Sequence, residues 1–410
     1  MPANAYTRAI RHDPNQQNLL YAGTERGIFV SFNNGDKWQS LQLNLPLTPI
    51  HDLRIHPRER DLVVATHGRS FWVLDNLTPL HELCTQNQQI TKNALHLFKP
   101  KFAYRMEGGS YYSPTMQTGQ NAPNNLQVYY YLKTEPKKSL KMRFLTEKND
   151  TVATFYSNKK RSSEAMKQDN KFYENPENKP GDVLPLKKGL NLFNWNMYYD
   201  DATRLEEATP MWHGGVGGPQ AIPGKYRVEL LLNDTLVAQQ PFEITKDPRI
   251  TTTNTEYAEQ LEFALKIRDK LSATHECINQ VRKLRKQVND FSNSLGKDST
   301  MIKVLNPHTK GILDTLQQIE DALVQHRAKA TQDLLAHPVK LNDKLAGVKS
   351  TVLSADAAPT AQSYAVYADL AAKIDEQLSI FETIKTKRLK ALNQRIDEMR
   401  IDAIRLSDKK

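Results

Sequence analysis

The strongest constraint on this chain is an internal repeat. Residues 18–31 (NLLYAGTERGIFVS) align without a gap over residues 61–74 (DLVVATHGRSFWVL) at an offset of 43. Pro14 then matches Pro57, Leu19 matches Leu62, Ala22 matches Ala65, Arg26 matches Arg69 and Val30 matches Val73. The pattern predicts seven short strands at 6–12, 19–24, 27–32, 37–41, 52–56, 62–66 and 71–75. A period near 43 falls in the range of propeller blades, each a four-stranded antiparallel sheet. Seven strands make one blade and most of a second. Closed propellers hold about four to eight blades, and repeat arrays need about three units for stability. Residues 1–80 are therefore expected to be an incomplete set of terminal blades with unpaired edges. Three explanations stay open: a C-terminal piece of a larger protein, association with a separately encoded propeller, or a small sheet packed on the next domain.

Between the third and fourth strands lies SFNNGDKW, Ser31 to Trp38. The physical reading is a tight hairpin. Asn33 hydrogen-bonds the turn backbone, Gly35 takes a positive φ, and Trp38 packs between blades. The segment resembles the Asp-box (BNR) motif, S-x-D-x-G-x-T-W, of sialidase-like and sortilin-like propellers. Ser31, Gly35 and Trp38 fit, whereas Asn33 replaces the aspartate and Lys37 the threonine. The resemblance continues through THGRSFWVLD at 66–75, which is similar to the closing blade of bacterial secreted propeller proteins often labelled "glycosyl hydrolase". It implies a β-sandwich and a helical tail after the blades, and a secreted, periplasmic or cell-surface location. The Asp box marks architecture on the blade periphery, not catalysis.

Residues 95–248 are predicted to be β-rich, with strands at 125–134, 139–148, 151–157, 190–199, 224–233 and 235–245. Leu232-Asn233-Asp234-Thr235 is a hairpin signal. KKGLNLFNWNM followed by IPGKYRVELLL resembles the immunoglobulin-like sandwich of hook-capping and secretion-associated domains, with Trp195 as its core tryptophan. Two inserts interrupt it. Residues 158–181 read as a polar surface loop. Residues 200–224 are glycine-rich around Trp212 and His213, and fit either a ligand rim or a loop folded over the sandwich end or against the propeller. GGVGG has no lysine placed for phosphate and opens no helix.

After Pro248 the composition becomes that of charged helix, and residues 251–410 are predicted to form an antiparallel three-helix bundle or coiled coil. The apolar stripes are Leu271, Ile278, Val281, Leu284, Val288, Phe291 and Leu295; then Ile312, Leu316, Ile319, Leu323, Ala330 and Leu334; then Ala371, Ile374, Leu378, Phe381, Leu392, Met399 and Leu406. Asn306-Pro307 and His337-Pro338 interrupt the pattern. Thr253 or Asn254 is the expected N-cap of the first helix, with Glu256 in its first turn. The fold class is thus multidomain, all-β then all-α.

Composition narrows the chemistry. The chain has 410 residues, a length suited to two or three domains. Its formal charge of +10 is spread out, since residues 251–410 carry 25 basic and 21 acidic side chains. That argues against nucleic acid as a partner, and the dense runs at 283–287 and 385–390 read as solvated helix faces, with polyanion binding a weaker alternative. Cys84 and Cys277 are too few for a disulfide framework or a cysteine zinc site, and no metal or cofactor is expected. No stretch is apolar enough to span a bilayer, and residues 1–14 lack the apolar core of a signal peptide.

No catalytic set can be assembled from these blades. Glu206-Glu207 are adjacent loop residues and do not make a glycosidase pair. The binding candidates are Asp52, His67 and Arg69 at strand ends, with Trp212 and His213 in the glycine-rich insert. Arg69 could instead pair with Asp75. The expected function is non-catalytic: a C-terminal binding or scaffold portion of a secreted sortilin-like Asp-box protein, contacting protein or glycan and upstream blades. The alternative is part of a glycoside hydrolase whose catalytic residues lie mainly in other blades.

Overall fold

The computed structural model describes residues 5–106, 124–158, 183–206, 211–295 and 299–401. The 158–181 loop (beyond Asn158), Glu207 and Leu406 lie outside the described residues. β-sheets come first and a helical region follows. The described residues separate into two compact units. One holds residues up to 158, 183–197 and 223–250; the other holds 198–222 and 251–401.

In the first unit, β1 (Thr7–His12), β2 (Leu20–Thr24), β3 (Gly27–Ser31) and β4 (Gln39–Ser40) form an antiparallel sheet in chain order. A second antiparallel sheet holds β5 (Ile50–His56), β6 (Asp61–Thr66) and β7 (Phe71–Leu74). Tyr21, Ile28 and Val30 of the first sheet share a core with Leu53, Leu62 and Val64 of the second. The sheets approach closely at Gly23, where a Cβ would stand 2.6 Å from Cγ2 of Ile50. Shifting Gln39–Ser40 by the repeat offset gives Glu82–Leu83, which lies not in a strand but in α1 (Thr78–Lys92). This helix, which the strand pattern does not reveal, packs Leu80 and Cys84 on the shared core. It is tied down by His81, whose Nε2 lies 2.9 Å from the carboxylate of the fully buried Asp13.

The Ser31–Trp38 turn takes the bonding expected of it. Ser31 Oγ donates to Asn33 Oδ1 (3.0 Å) and accepts from the Gly35 amide (2.9 Å). Asn33 Oδ1 also accepts from the Lys37 amide at 2.9 Å. Gly35 has φ +99°, and Trp38 is half-buried beside it.

The remaining strands of this unit are β8 (Leu95–Leu97), β9 (Ala103–Arg105), β10 (Leu126–Leu132), β11 (Leu140–Thr146), β12 (Thr151–Tyr156), β13 (Gly189–Trp195), β14 (Gly224–Leu232) and β15 (Thr235–Lys246). They form a three-stranded sheet, β13-β10-β8, and a five-stranded sheet, β12-β11-β14-β15-β9. Strict alternation along β10 sends Leu126, Val128, Tyr130 and Leu132 inward. Trp195 of the smaller sheet is fully buried and stacks on Phe144 of the larger, ring centroids 4.0 Å apart. The β14–β15 turn places Asn233 and Asp234 at φ +51° and +62°, the geometry of a two-residue type I′ hairpin.

The second unit has five α-helices among its described residues: α2 (Asn254–Ser294), α3 (Ser299–Leu323), α4 (Leu341–Val352), α5 (Ala361–Thr383) and α6 (Leu389–Glu398). Three were expected. The third apolar stripe spans α5 and α6, which are joined by a π turn at 384–388, and α4 had no counterpart in the pattern. The second stripe ends at Leu323: Ala330 is exposed, and Leu334 belongs to a short 3-10 helix at 331–335. Pro307 does not interrupt α3 but lies inside it. The bond lost there is offset by burial of Leu305, Ile312, Leu316, Ile319 and Leu323. Thr253 caps α2 through a reciprocal box with Glu256.

Two substitutions test these assignments by chemical denaturation. Gly35→Ala meets no steric barrier but strains the positive φ, and should cost about 1–2 kcal/mol. Trp195→Ala should cost about 3–5 kcal/mol; a loss under about 1 kcal/mol would contradict its place in the core.

Candidate functional site

The second unit contains a feature that helical periodicity does not announce. Residues 198–222 double back on themselves: Tyr198 bridges Gln220, the Tyr199 amide donates to Pro219 O, and the Ala202 amide donates to Val216 O. This strap belongs to the helical unit and packs on its helices. Ala202 and Leu205 are buried in the helical core and Met211 and Val216 pack against it, while the glycine-rich part brings backbone donors and acceptors that need partners when buried.

The helices supply those partners. The Lys349 side chain, on α4 and only 3% exposed, donates to Gly215 O and Gly217 O at 2.6 Å each. GGVGG thus turns carbonyls toward a cation, the reverse of a phosphate cradle. The fully buried His275 on α2 hydrogen-bonds Thr203 O through Nδ1 at 2.6 Å. Asn279 donates to Arg204 O and accepts from the Glu206 amide. Ser272 Oγ accepts from the Thr203 amide at 3.1 Å. On α4, buried Asp343 accepts from the amides of Trp212 (2.9 Å) and His213 (3.0 Å), and its other oxygen lies 2.8 Å from His213 Nδ1.

These anchors carry shifted acid–base behaviour. Burial pulls the His275 imidazole down to about 4, with the Lys349 and Arg282 charges adding to the effect. Burial also pulls the Lys349 ammonium down to about 8, helped by Arg268 and opposed by Asp201. His275 is therefore neutral at neutral pH, and its bond to a carbonyl fixes the proton on Nδ1.

His213 emerges from the strap with about half its side chain exposed and lines an open cavity of about 800 Å³ between the strap, α4 and α5. Trp212 beside it is 49% exposed. The other sequence candidates belong to the first unit. Asp52 pairs with Arg11 and, at 3.5 Å, with Arg54. The His67 ring packs on that of His51, centroids 4.9 Å apart. Arg69 donates to Gly68 O within its own turn, and among the described residues no ion pair joins it to Asp75. Asp75 is instead pushed above the usual carboxylate range by burial and by Asp61, with Lys101 opposing.

The basic runs, with the neighbouring Arg282, are engaged in part. Arg282 and Arg285 both pair with buried Glu320, Lys283 with Glu206, and Lys385 with Glu382. Cys84 is half-buried and Cys277 buried, both as free thiols. Among the described residues no group of three or more His, Cys, Asp or Glu side chains is placed to hold a metal ion, and no helix is long and apolar enough to cross a membrane.

No known protein family and no curated protein matches the chain. A solved structure, an extracellular domain ascribed to a one component system of B. thetaiotaomicron, is similar at 9% identity and a TM-score of 0.15. The match covers 61% of this chain and 26% of that one, so the chain spans about a quarter of that neighbour. A likeness this slight carries no argument.

Sequence reasoning singled out Trp212 and His213 but not Lys349, Asp343, His275 and Asn279, which hold the strap. The available signal was Asn342-Asp343, Lys349 and His275 lying among apolar helix positions, which periodicity treats as exceptions.

The pH dependence of the second unit follows. An unfolded His275 titrates near 6.5 and the folded one near 4. Stability from this site is complete above 6.5 and is lost as pH falls through 4, a change of roughly 3 kcal/mol. Lys349, near 10.5 unfolded and near 8 folded, makes stability rise between pH 8 and 10.5. Thermal melts should show His275→Asn flattening the acid limb and Lys349→Met the alkaline one. Unaltered limbs would contradict these assignments.

Proposed function

We propose that this chain is a non-catalytic binding or scaffold portion of a secreted Asp-box propeller protein of the sortilin-like kind. On this reading β1–β4 and β5–β7 are terminal blades, the two sheets around Trp195 are an immunoglobulin-like sandwich, and the helices with their strap form a recognition module. The Ser31–Asn33–Gly35 bonding supports the Asp-box assignment, since the motif's turn is made here with asparagine in place of aspartate.

The carrying observation is an uncovered sheet face. Ile28 and Val30 are 3% and 2% exposed beneath the second sheet. Their repeat counterparts Phe71 and Val73 are 77% and 52% exposed, on the face of β6–β7 that also carries Val63 and Ala65. Phe71 and Val73 are apolar where solvent would select polar residues, and β7 has no described strand on its outer side. Further sheets of the same build, on this polypeptide or another, would cover them.

Two experiments test the reading. Sedimentation velocity should show the isolated chain self-associating with rising concentration, and Phe71→Lys/Val73→Lys restoring a monomer. A wild type that stays monomeric and binds no hydrophobic dye would contradict the uncovered face. A panel of aryl glycosides and sialosides between pH 4 and 8 should show no turnover; hydrolysis would favour the glycosidase alternative.

A further inference from the structure

His213 is not placed at the groove by default. A Cβ on Gly347 would stand 2.9 Å from His213 Cβ, and one on Gly214 would stand 2.4 Å from Ala346 O and 2.6 Å from Ser350 Oγ. Two glycines, on the strap and on α4, are needed for the histidine to come this close to the helix. Buried Asp343 then takes three hydrogen bonds, two from backbone amides and one from the ring. The two amides alone would hold the strap. The third bond fixes the ring instead: Nδ1 carries the proton, and Nε2 is left as an acceptor on a half-exposed imidazole.

The rest of the groove is divided in the same sense. Val348, Val366 and Leu370 give it an aliphatic strip, and Val366 is 49% exposed. Ser350 and Gln362 give it neutral groups that both donate and accept, Thr351 Oγ1, which donates to Gly347 O, can still accept, and among the described residues of the lining Lys344 is the one formal cation. A phosphate or dicarboxylate would call for more positive charge. An acyl chain would make no use of the Ser350 hydroxyl and the Gln362 amide. An extended peptide would find helix backbones already bonded to themselves.

We propose that this groove binds a neutral saccharide. A pyranose ring presents an edge of hydroxyls and a face of C–H groups, which suits a rim of imidazole, hydroxyl and amide beside an aliphatic strip. The cavity, about 800 Å³, has the size of a small-molecule site. The Trp212 ring, 6.3 Å from that of His213 and inclined at 29°, offers a platform for an adjoining sugar. The assignment rests on the recognition role proposed above only in taking the helical unit as a binding module.

The test uses the full chain on an array of neutral and sialylated glycans, with the best neutral glycan then titrated by calorimetry. Retention of a neutral glycan is expected, and His213→Ala and Val366→Arg should each weaken it roughly tenfold or more while circular dichroism stays unchanged. Val366 is exposed, so its variant keeps the test valid should His213→Ala loosen the strap. Failure to retain any neutral glycan, or affinity undiminished in Val366→Arg, would overturn the proposal. Binding kept by Val366→Arg but lost in Phe71→Lys/Val73→Lys would move the ligand to the β sheets, overturning this groove while leaving the broader binding role intact.

Discussion

A buried ammonium group organises the helical unit. Lys349 sits where burial penalises its charge; the Asp201 charge opposes that penalty, and a pair of glycine carbonyls from another part of the chain accepts its hydrogen bonds. Without Gly215 and Gly217 the lysine loses two acceptors in the protein interior, and without the lysine two carbonyls lose their donor. The same reciprocity holds for His275 with Thr203, for Asn279 with Arg204 and Glu206, and for Asp343 with Trp212 and His213. The strap is held through its backbone as well as through Ala202, Leu205, Met211 and Val216 on the helical core, and the last of these polar contacts places an imidazole beside an open groove.

The first unit depends on a different constraint, the repetition of a sheet. Two copies of one strand pattern pack face to face, and Gly23 lets Ile50 come against the first sheet without steric conflict. Repetition also explains what is left over. The exposed face of the second sheet carries Phe71 and Val73, while α1 covers the positions that correspond by the repeat offset to β4.

Much of this was legible in the sequence, for identifiable reasons. Strands with alternating burial, such as β10 and β11, declare themselves through period two, and the Asn233-Asp234 turn through its tolerance of positive φ. The helical stripes from Leu271 to Leu295 and from Ile312 to Leu323 mark buried faces correctly. What escaped was structure set by tertiary partners. The short strands β8 and β9 owe their existence to neighbours, α1 has a weak apolar face, and α4 buries Asn342, Asp343 and Lys349. Periodicity counts such residues against burial, so no apolar stripe announced the helix at 341–352. Pro307 misled in the opposite direction, because a single lost hydrogen bond does not outweigh a well-buried stripe.

The most direct measurement is amide hydrogen exchange across residues 198–222 in the wild type and in Lys349→Met. If the buried ammonium holds the strap, exchange at Trp212, His213 and Gly218 should accelerate toward unprotected rates while α2 and α3 keep their protection. A strap that stays protected in Lys349→Met, with Asp343 and His275 still engaged, would show that the ammonium does not hold it.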